Sequence, residues 1–280
     1  MFIMLLYSFQ SLAAMKTILL ILLTGMTCPV FSQELYVNTE PASNMATHSI
    51  GIRLENQGYF KPEYKNRTSL EVMYGASRTL MVHGTMYVSD YYHNGQHFEG
   101  GSAYAKYRFL SVDSVQSHFR GAVFAKVSAI NNPLPNQEIG LEGDNSGFQT
   151  GVVFTKLIHK LAISASGSYL HGFNNLGGYN LPAGNAKDAI GYTLSAGYLL
   201  FPKKYESYNQ VNLNVYAELL GKNNPGYGQS YLDVAPAVQL IFNSFFRVDF
   251  SYHTPIYNNM VRTSANVYLI RLEYNLFNVF

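Results

Sequence analysis

The strongest constraint on this chain is the alternation of side chains in its final stretch, Ala265–Phe280. Every second residue of Tyr268–Leu276 is apolar or aromatic, whereas Arg271 and Glu273 lie between them. Successive side chains of a β-strand point to opposite faces, so the pattern predicts a strand with one apolar face and one charged face. The apolar face ends close to an aromatic residue, Phe280.

The same alternation recurs in eleven segments upstream, each with apolar residues on one face and polar or charged residues on the other. We therefore predict an all-β fold, a single antiparallel transmembrane β-barrel of about 12 strands with lipid outside and a polar lumen inside. The predicted strands are Thr47–Asn56, Asn66–Gly75, Thr79–Ser89, His97–Leu110, His118–Ala129, Phe148–Ile158, Leu161–His171, Ala189–Phe201, Gln210–Leu220, Tyr231–Phe242, Phe245–Tyr257 and Ala265–Phe280.

The connections between these segments predict which ends of the barrel face the two sides of the membrane. If the amino end starts in the periplasm, the two longest connections, Asn131–Ser146 and Asn174–Asp188, are extracellular. The two shortest, His159-Lys160 and Asn243-Ser244, are then periplasmic. Outer-membrane barrels have short periplasmic turns and longer extracellular loops. The alternation of long and short connections along the chain therefore supports an outer-membrane location.

Composition agrees with a membrane barrel and argues against nucleic acid as a partner. Only 13% of the residues are charged, compared with roughly 25% in ordinary soluble domains. After the first 32 residues, no run approaches the roughly 20 apolar residues of a spanning helix. The net charge is +2 and the basic residues form no cluster in the sequence, so the sequence does not predict a basic surface that would bind nucleic acid.

Residues 1–32 are predicted to be a signal peptide, which leaves 33–280 as the barrel. Lys16 precedes an apolar core, Thr17–Met26, and small residues precede a processing site after Ser32. Met15 is an alternative start, in which case residues 1–14 would be an upstream extension. An uncleaved anchor helix is the alternative, although Lys16 interrupts it. The single cysteine, Cys28, lies inside this leader, so thiol chemistry is not expected in the barrel.

The charged residues on the inward faces are the candidate site, a lumen charge network. One interpretation is a set of salt bridges that braces the barrel wall, because unpaired charges there are costly. The other is a polar pore lining whose basic side, formed by the second to fifth strands, favours anions. The network comprises Arg53, Glu55, Arg67, Glu71, Lys106, Arg108, Arg120, Lys126, Glu218, Asp233, Arg247, Asp249, Arg271 and Glu273.

Other chemistry finds little support in the sequence, and no metal or cofactor is predicted. The histidines lack the local spacing of a metal site. The acidic stretch Glu138–Gly147 lacks the regular alternation of a calcium loop and is interpreted as a solvated loop. The stretch Tyr91–His97 is similar to the histidine region of outer-membrane phospholipases. It has no serine two residues after His93, where nucleophilic catalysis would need one.

Short motifs carry a resemblance to a known group of barrels. Phe31-Ser32-Gln33-Glu34, the opening Glu40–Met45 and the terminal Phe280 resemble outer-membrane barrels of Bacteroidota-type bacteria. More loosely, the mature chain is similar to barrels assigned as transporters beside aromatic-degradation genes. The resemblance implies three partners: outer-membrane lipid, barrel-assembly machinery that reads Phe280 as an assembly signal, and a small-molecule cargo. It assigns no residue to that cargo.

Three functions remain open from the sequence. The leading hypothesis is a passive channel or transporter for small molecules, without enzymatic activity. An alternative is a structural or interaction barrel with a plugged lumen, which displays its long loops Asn131–Ser146 and Asn174–Asp188 outside. A second alternative is an outer-membrane hydrolase.

Overall fold

A computed structural model describes residues 36–115, 117–203 and 210–279 of the chain. They form one closed antiparallel barrel of twelve strands, in which each strand pairs with its sequence neighbours, and the predicted fold class is confirmed. The strands are β1 (Ile50–Tyr59), β2 (Lys65–Gly75), β3 (Leu80–Ser89), β4 (His97–Ser114), β5 (Ser117–Ile130), β6 (Gly147–Ile158), β7 (Leu161–Gly172), β8 (Asp188–Phe201), β9 (Asn212–Asn224), β10 (Gln229–Phe242), β11 (Phe246–Asn258) and β12 (Val267–Leu276).

Two of the sequence predictions lie outside the described residues. These are the signal peptide at 1–32 and the assembly signal at Phe280. A short 3-10 turn, Leu176–Gly178, is present in the connection between β7 and β8. No helix in the described part of the chain is long and apolar enough to cross a membrane.

The barrel closes by pairing its first strand with its last. Across this pair Arg53 of β1 lies opposite Glu273 of β12, and Glu55 lies opposite Arg271. On the other side of β1, Arg53 lies opposite Glu71 of β2. Because a slip of one residue would turn every side chain to the other face, the alternation of charge and apolar residues determines this register.

The two faces of the wall differ sharply in exposure to the surroundings. On β1, the outward side chains of Ile52 and Leu54 are 43% and 45% exposed, and similar apolar residues surround the whole barrel. On the inward face, Asp249 and Glu218 are fully buried. A continuous apolar band of this extent would be unfavourable in water, and it is the surface with which a barrel faces lipid.

The ends of the barrel differ in the length of their connections. One end, the short-turn end, carries the connections 76–79, 115–116, 159–160, 202–211 and 243–245. The other, the long-loop end, carries 60–64, 90–96, 131–146, 173–187, 225–228 and 259–266. The predicted contrast between short turns and long loops is therefore present, with 202–211 as the exception. Strand β4 also continues to Ser114, four residues beyond its predicted end, in a hairpin with β5.

An aromatic cluster marks the rim at the long-loop end. The rings of Phe60 and Tyr268 stack with centroids 5.1 Å apart, and Phe60 also contacts Tyr64 at 5.7 Å. The hydroxyls of Tyr64 and Tyr268 lie 2.9 Å apart. Aromatic residues with a polar tip suit the boundary between lipid and water, where barrels of this kind carry their aromatic girdles.

Candidate functional site

Residues 36–47, which precede β1, lie across the barrel lumen, and we name them the inner segment. The backbone N–H of Val37 donates to Glu218 on β9, with an N–O distance of 3.1 Å. That of Ala42 donates to the hydroxyl of Thr155 on β6 at 2.9 Å. The sequence predicted only an irregular stretch here, because hydrophobic periodicity carries no information about a segment that is neither strand nor helix.

Two fully buried charges of the wall hold the inner segment. The carboxylate of Glu218 accepts hydrogen bonds from the backbone of Val37 and Asn38 and from the hydroxyl of Thr39. The Lys106 ammonium donates to the carbonyl oxygens of Pro41 and Ser43, with distances of 2.7 and 2.9 Å. Buried charges need such partners, so the segment satisfies two charges that the neighbouring strands leave to it.

A second segment also enters the lumen, the connection 131–146 between β5 and β6, which we name the inner loop. Its Ile139 and Leu141 are buried and pack against Leu170 of β7 and Ala189 of β8. The expectation of a solvated loop was therefore wrong. Residues 138–142 read Glu-Ile-Gly-Leu-Glu, so apolar residues that pack against the wall lie between two carboxylates.

The carboxylates of the inner loop contact bases on β5, which leads into the loop, and on β9. Glu138 accepts from the Lys222 ammonium of β9 at 2.8 Å, and from the hydroxyl of Tyr231 at 2.7 Å. Glu142 pairs with Lys126 of β5 at 2.7 Å. Burial alone would raise the pKa of the Glu142 carboxyl, but the nearby Lys126 outweighs it and lowers the pKa to about 2.

Asp144, the third carboxylate of the loop, joins the buried ion pair of Arg67 on β2 and Glu99 on β4. Asp144 accepts from Arg67 at 2.8 Å, and Arg67 also pairs with Glu99 of β4 at 2.6 Å. Asn132, at the start of the loop, donates to the same Glu99 at 2.8 Å. Both ends of the inner loop are thus tied to one buried arginine–glutamate pair.

Seven of the predicted network residues meet at the closure seam, formed by β1, β2, β11 and β12. Glu273 accepts from Arg53 at 2.8 Å and from Arg247 at 2.6 Å. The remaining contacts extend this set around the seam. They are Arg53–Glu71 at 2.8 Å, Arg247–Asp249 at 3.1 Å, Arg271–Glu55 at 2.9 Å and Arg271–Asp249 at 3.6 Å.

The other seven predicted residues find partners that the sequence did not identify. Arg67, Lys106, Lys126 and Glu218 make the contacts described above. Asp233 accepts from Arg262 at 2.7 Å, Arg120 contacts Asp113 at 3.2 Å, and Arg108 donates to the carbonyl oxygen of Arg78. The partners missed by sequence reasoning are Glu40, Glu99, Asp113, Glu138, Glu142, Asp144, Lys222 and Arg262.

A signal for some of these partners is present in the sequence. The predicted inward set contains eight bases and six acids, so it needs carboxylates from elsewhere. The acidic stretch Glu138–Gly147 is a source of them, and three of its carboxylates pair with lumen bases. The charge imbalance could thus have indicated that this loop folds inward, whereas it could not have indicated the route of the inner segment.

Between the inner segment and the inner loop lies a cavity of about 240 Å³, adjoining a second of about 270 Å³. Both are lined by the inner segment and the inner loop as well as by the wall. Within the described residues, no group of three or more His, Cys, Asp or Glu side chains could hold a metal ion. The residues common to both cavities are Asn38, Arg53, Glu71, Thr85, Lys126, Glu142 and Arg271.

Comparison with solved structures identifies proteins that share the barrel fold of this chain. An outer membrane channel from Pseudomonas putida F1 superimposes with a TM-score of 0.55 at 11% sequence identity. The match covers 86% of this chain and 100% of that one. The barrel has the fold of an outer-membrane channel. A KdgM porin is also similar, with a TM-score of 0.47, 10% identity and coverage of 81% and 98%. No family model matches the chain, and no curated protein matches its sequence.

Proposed function

We propose that this chain is an outer-membrane channel that admits small polar molecules through its lumen. The observation that carries the proposal is the cavity inside the barrel, lined by polar and charged side chains and bounded by the inner segment and the inner loop. Outside, the same wall presents an apolar band suited to lipid. A polar space inside an apolar wall is what a water-soluble solute needs in order to cross a membrane.

The size of the barrel limits what such a channel would admit. Twelve strands lie between the filled barrels of about eight strands and the open porins of about sixteen. The inner segment and the inner loop narrow this lumen further, since each crosses it and contacts several strands. We therefore expect passage of single small solutes, with selection by size.

A structural or interaction barrel is the second candidate, and one observation favours it. Lys106 and Glu218 hold the inner segment inside the lumen through buried charged contacts, as expected of a plug. In this candidate the connection 173–187 remains as a displayed loop. The inner loop does not serve for display, because its carboxylates and apolar side chains contact the wall.

Ion conductance of the purified chain in planar lipid bilayers tests the proposal. We expect stepwise currents of small amplitude, which vanish when the protein is omitted or heat-denatured. A correctly folded barrel, recognised by its β-sheet circular dichroism and its heat-modifiable migration on gels, that passes no current would overturn the channel. The same silent barrel would support the plugged, structural candidate.

A further inference from the structure

We propose that the lumen cavity takes neutral, polyhydroxylated solutes of the size of a monosaccharide. This inference rests on the proposed channel function and names its substrate class. It depends on three features of the cavity lining: charges that are already paired, an aromatic surface, and neighbouring hydroxyl and amide groups.

The lysine and arginine side chains that line the cavity are already paired with carboxylates. Its three bases all have carboxylate partners: Arg53 contacts Glu71, Arg271 contacts Glu55, and Lys126 contacts Glu142. The remaining lining carboxylate, Glu40, contacts Arg53 at 3.3 Å and Lys106 at 3.4 Å. A charged solute would have to compete with an existing ion pair, whereas a neutral one would not. We therefore favour a neutral solute over the anion that the basic side of the wall suggested.

An aromatic surface covers one side of the cavity. The rings of Tyr104 on β4 and Phe124 on β5 stack with centroids 5.8 Å apart and an angle of 27° between planes. The imidazole of His83 on β3 continues this surface, 4.9 Å from the Tyr104 ring. A flat aromatic face suits the apolar C–H face of a sugar ring, because it replaces water there without losing hydrogen bonds.

Next to the aromatic surface, the wall offers groups that both donate and accept hydrogen bonds. The hydroxyls of Ser166 on β7 and Thr193 on β8 lie 2.6 Å apart and line the cavity. The amide of Gln149 on β6 also lines it and donates to Ser168 at 2.9 Å. Hydroxyl and amide groups can re-pair with solute hydroxyls without leaving a buried charge uncompensated.

The volume of the cavity is suited to a single sugar ring. A space of 240 Å³ corresponds to roughly eight water molecules. A solute with one six-membered ring would displace most of this water, and its hydroxyls would take over the hydrogen bonds. An extended oligosaccharide would exceed the cavity unless the inner segment moved.

Uptake into proteoliposomes tests the substrate class. Glucose, glucuronate and glucosamine have the same ring and differ in charge. We expect glucose to enter roughly tenfold faster than either charged sugar, because each of these must disturb an ion pair in the cavity. Equal rates, or faster entry of a charged sugar, would overturn the inference while bilayer currents would still support a channel.

Matched variants locate the effect in the aromatic surface. Phe124→Leu removes a ring that lines the cavity but keeps an apolar side chain, and we expect glucose uptake to fall several-fold. Phe109→Leu changes a ring on the outer face, where its side chain is half exposed, and should leave glucose uptake unchanged. If both variants behave like the original chain, the aromatic surface does not contact the solute and the inference is wrong.

A direct binding measurement separates this inference from the channel proposal. Calorimetry of the detergent-solubilised barrel with glucose needs no transport. Binding by a barrel that passes no current would support the ligand class and overturn the channel. Absence of both current and binding would overturn the two proposals together.

Discussion

Buried charges find their partners in different places at the closure seam and in the wall around β4, β5 and β9. At the seam, Arg53, Arg247 and Glu273 are strand residues that pair with one another across neighbouring strands. On β4 and β9, Lys106 and Glu218 pair instead with the inner segment, which crosses the lumen. Every seam charge therefore has an oppositely charged partner within the wall, although Arg53 also contacts Glu40 of the inner segment. Lys106 and Glu218, in contrast, take most of their contacts from that segment.

This difference separates charges that hold the barrel together from charges that control its lumen. Removal of a buried seam carboxylate destabilises the wall, because the neighbouring arginines are left with fewer compensating charges. A charge that faces the inner segment can gain water if the segment leaves.

Removal of Glu273 should have the largest effect on stability. Its carboxylate accepts from both Arg53 and Arg247, and its side chain is 4% exposed. We expect Glu273→Ala to lower the free energy of unfolding by about 3 kcal/mol, the lower end of the cost of breaking a buried ion pair, because Arg53 and Arg247 each lose one carboxylate but keep Glu71 and Asp249. Denaturant unfolding in detergent, followed by tyrosine fluorescence and circular dichroism, measures it.

The matched control is Glu63→Ala, since Glu63 pairs with Lys65 but is 68% exposed. Exposed pairs contribute about 0–1 kcal/mol, so this variant should unfold almost like the original chain. A loss of less than about 1 kcal/mol for Glu273→Ala would show that water reaches the seam and would remove the contrast with the far wall.

Loss of the Lys106 ammonium should act on the lumen more than on the wall. Lys106→Met leaves the carbonyl oxygens of Pro41 and Ser43 without their donor, at a cost of about 1–3 kcal/mol to the seating of the inner segment. We expect the segment to become accessible to added protease and the conductance in planar bilayers to rise several-fold. Lys65→Met, at the rim, is the control and should change neither.

If Lys106→Met instead lowers global stability as strongly as Glu273→Ala, the inner segment is part of the structural core. A conductance that stays at the original level while the protease removes the segment would show that the segment does not limit the pore.

The pair between Lys126 and Glu142 should contribute little to stability. Glu142 is 54% exposed, so Lys126→Met should lower the free energy of unfolding by no more than about 1 kcal/mol. Because the pair ties the inner loop to β5, the expected change is in the noise of the open-channel current. A loss of stability comparable to that of Glu273→Ala would indicate that the inner loop, like the seam, braces the wall.

Acidification should produce the smallest effect, through the same carboxylate. The pKa of Glu142 is lowered from 4.5 to about 2 in the folded chain, so its ion pair contributes fully above pH 4.5. That contribution is lost as the pH falls from 4.5 towards 2. We expect current noise to increase reversibly over this window in the original chain. Glu142→Gln should show the increased noise at neutral pH and no further change from this pair on acidification.

The fold was largely predictable because the wall is determined by a local pattern. The alternation in Tyr268–Leu276 predicts both the strand and its sidedness, and the pairing of first with last strand then brings Arg53 beside Glu273. Sequence reasoning also named Glu55 and Asp249 among the neighbours of Arg271, which the structure shows. It placed Glu273 there too, whereas in the structure Glu273 contacts Arg53 and Arg247.

The lumen was less predictable because its contents depend on contacts between residues far apart in the chain. Val37 and Glu218 are separated by 181 positions, and neither residue type indicates the other. The inner loop was interpreted as solvated because its carboxylates were considered without the apolar Ile139 and Leu141 between them.

The sequence alone was sufficient to predict strands with one apolar and one charged face, because a period of two residues turns successive side chains to opposite faces. It also predicted which charges share a face, and therefore which charges needed partners. The identity of those partners depends on the tertiary fold. Lys106 and Glu218 are satisfied by the inner segment and Lys126 by the inner loop, because segments without periodicity are positioned by the charges and apolar surfaces they meet.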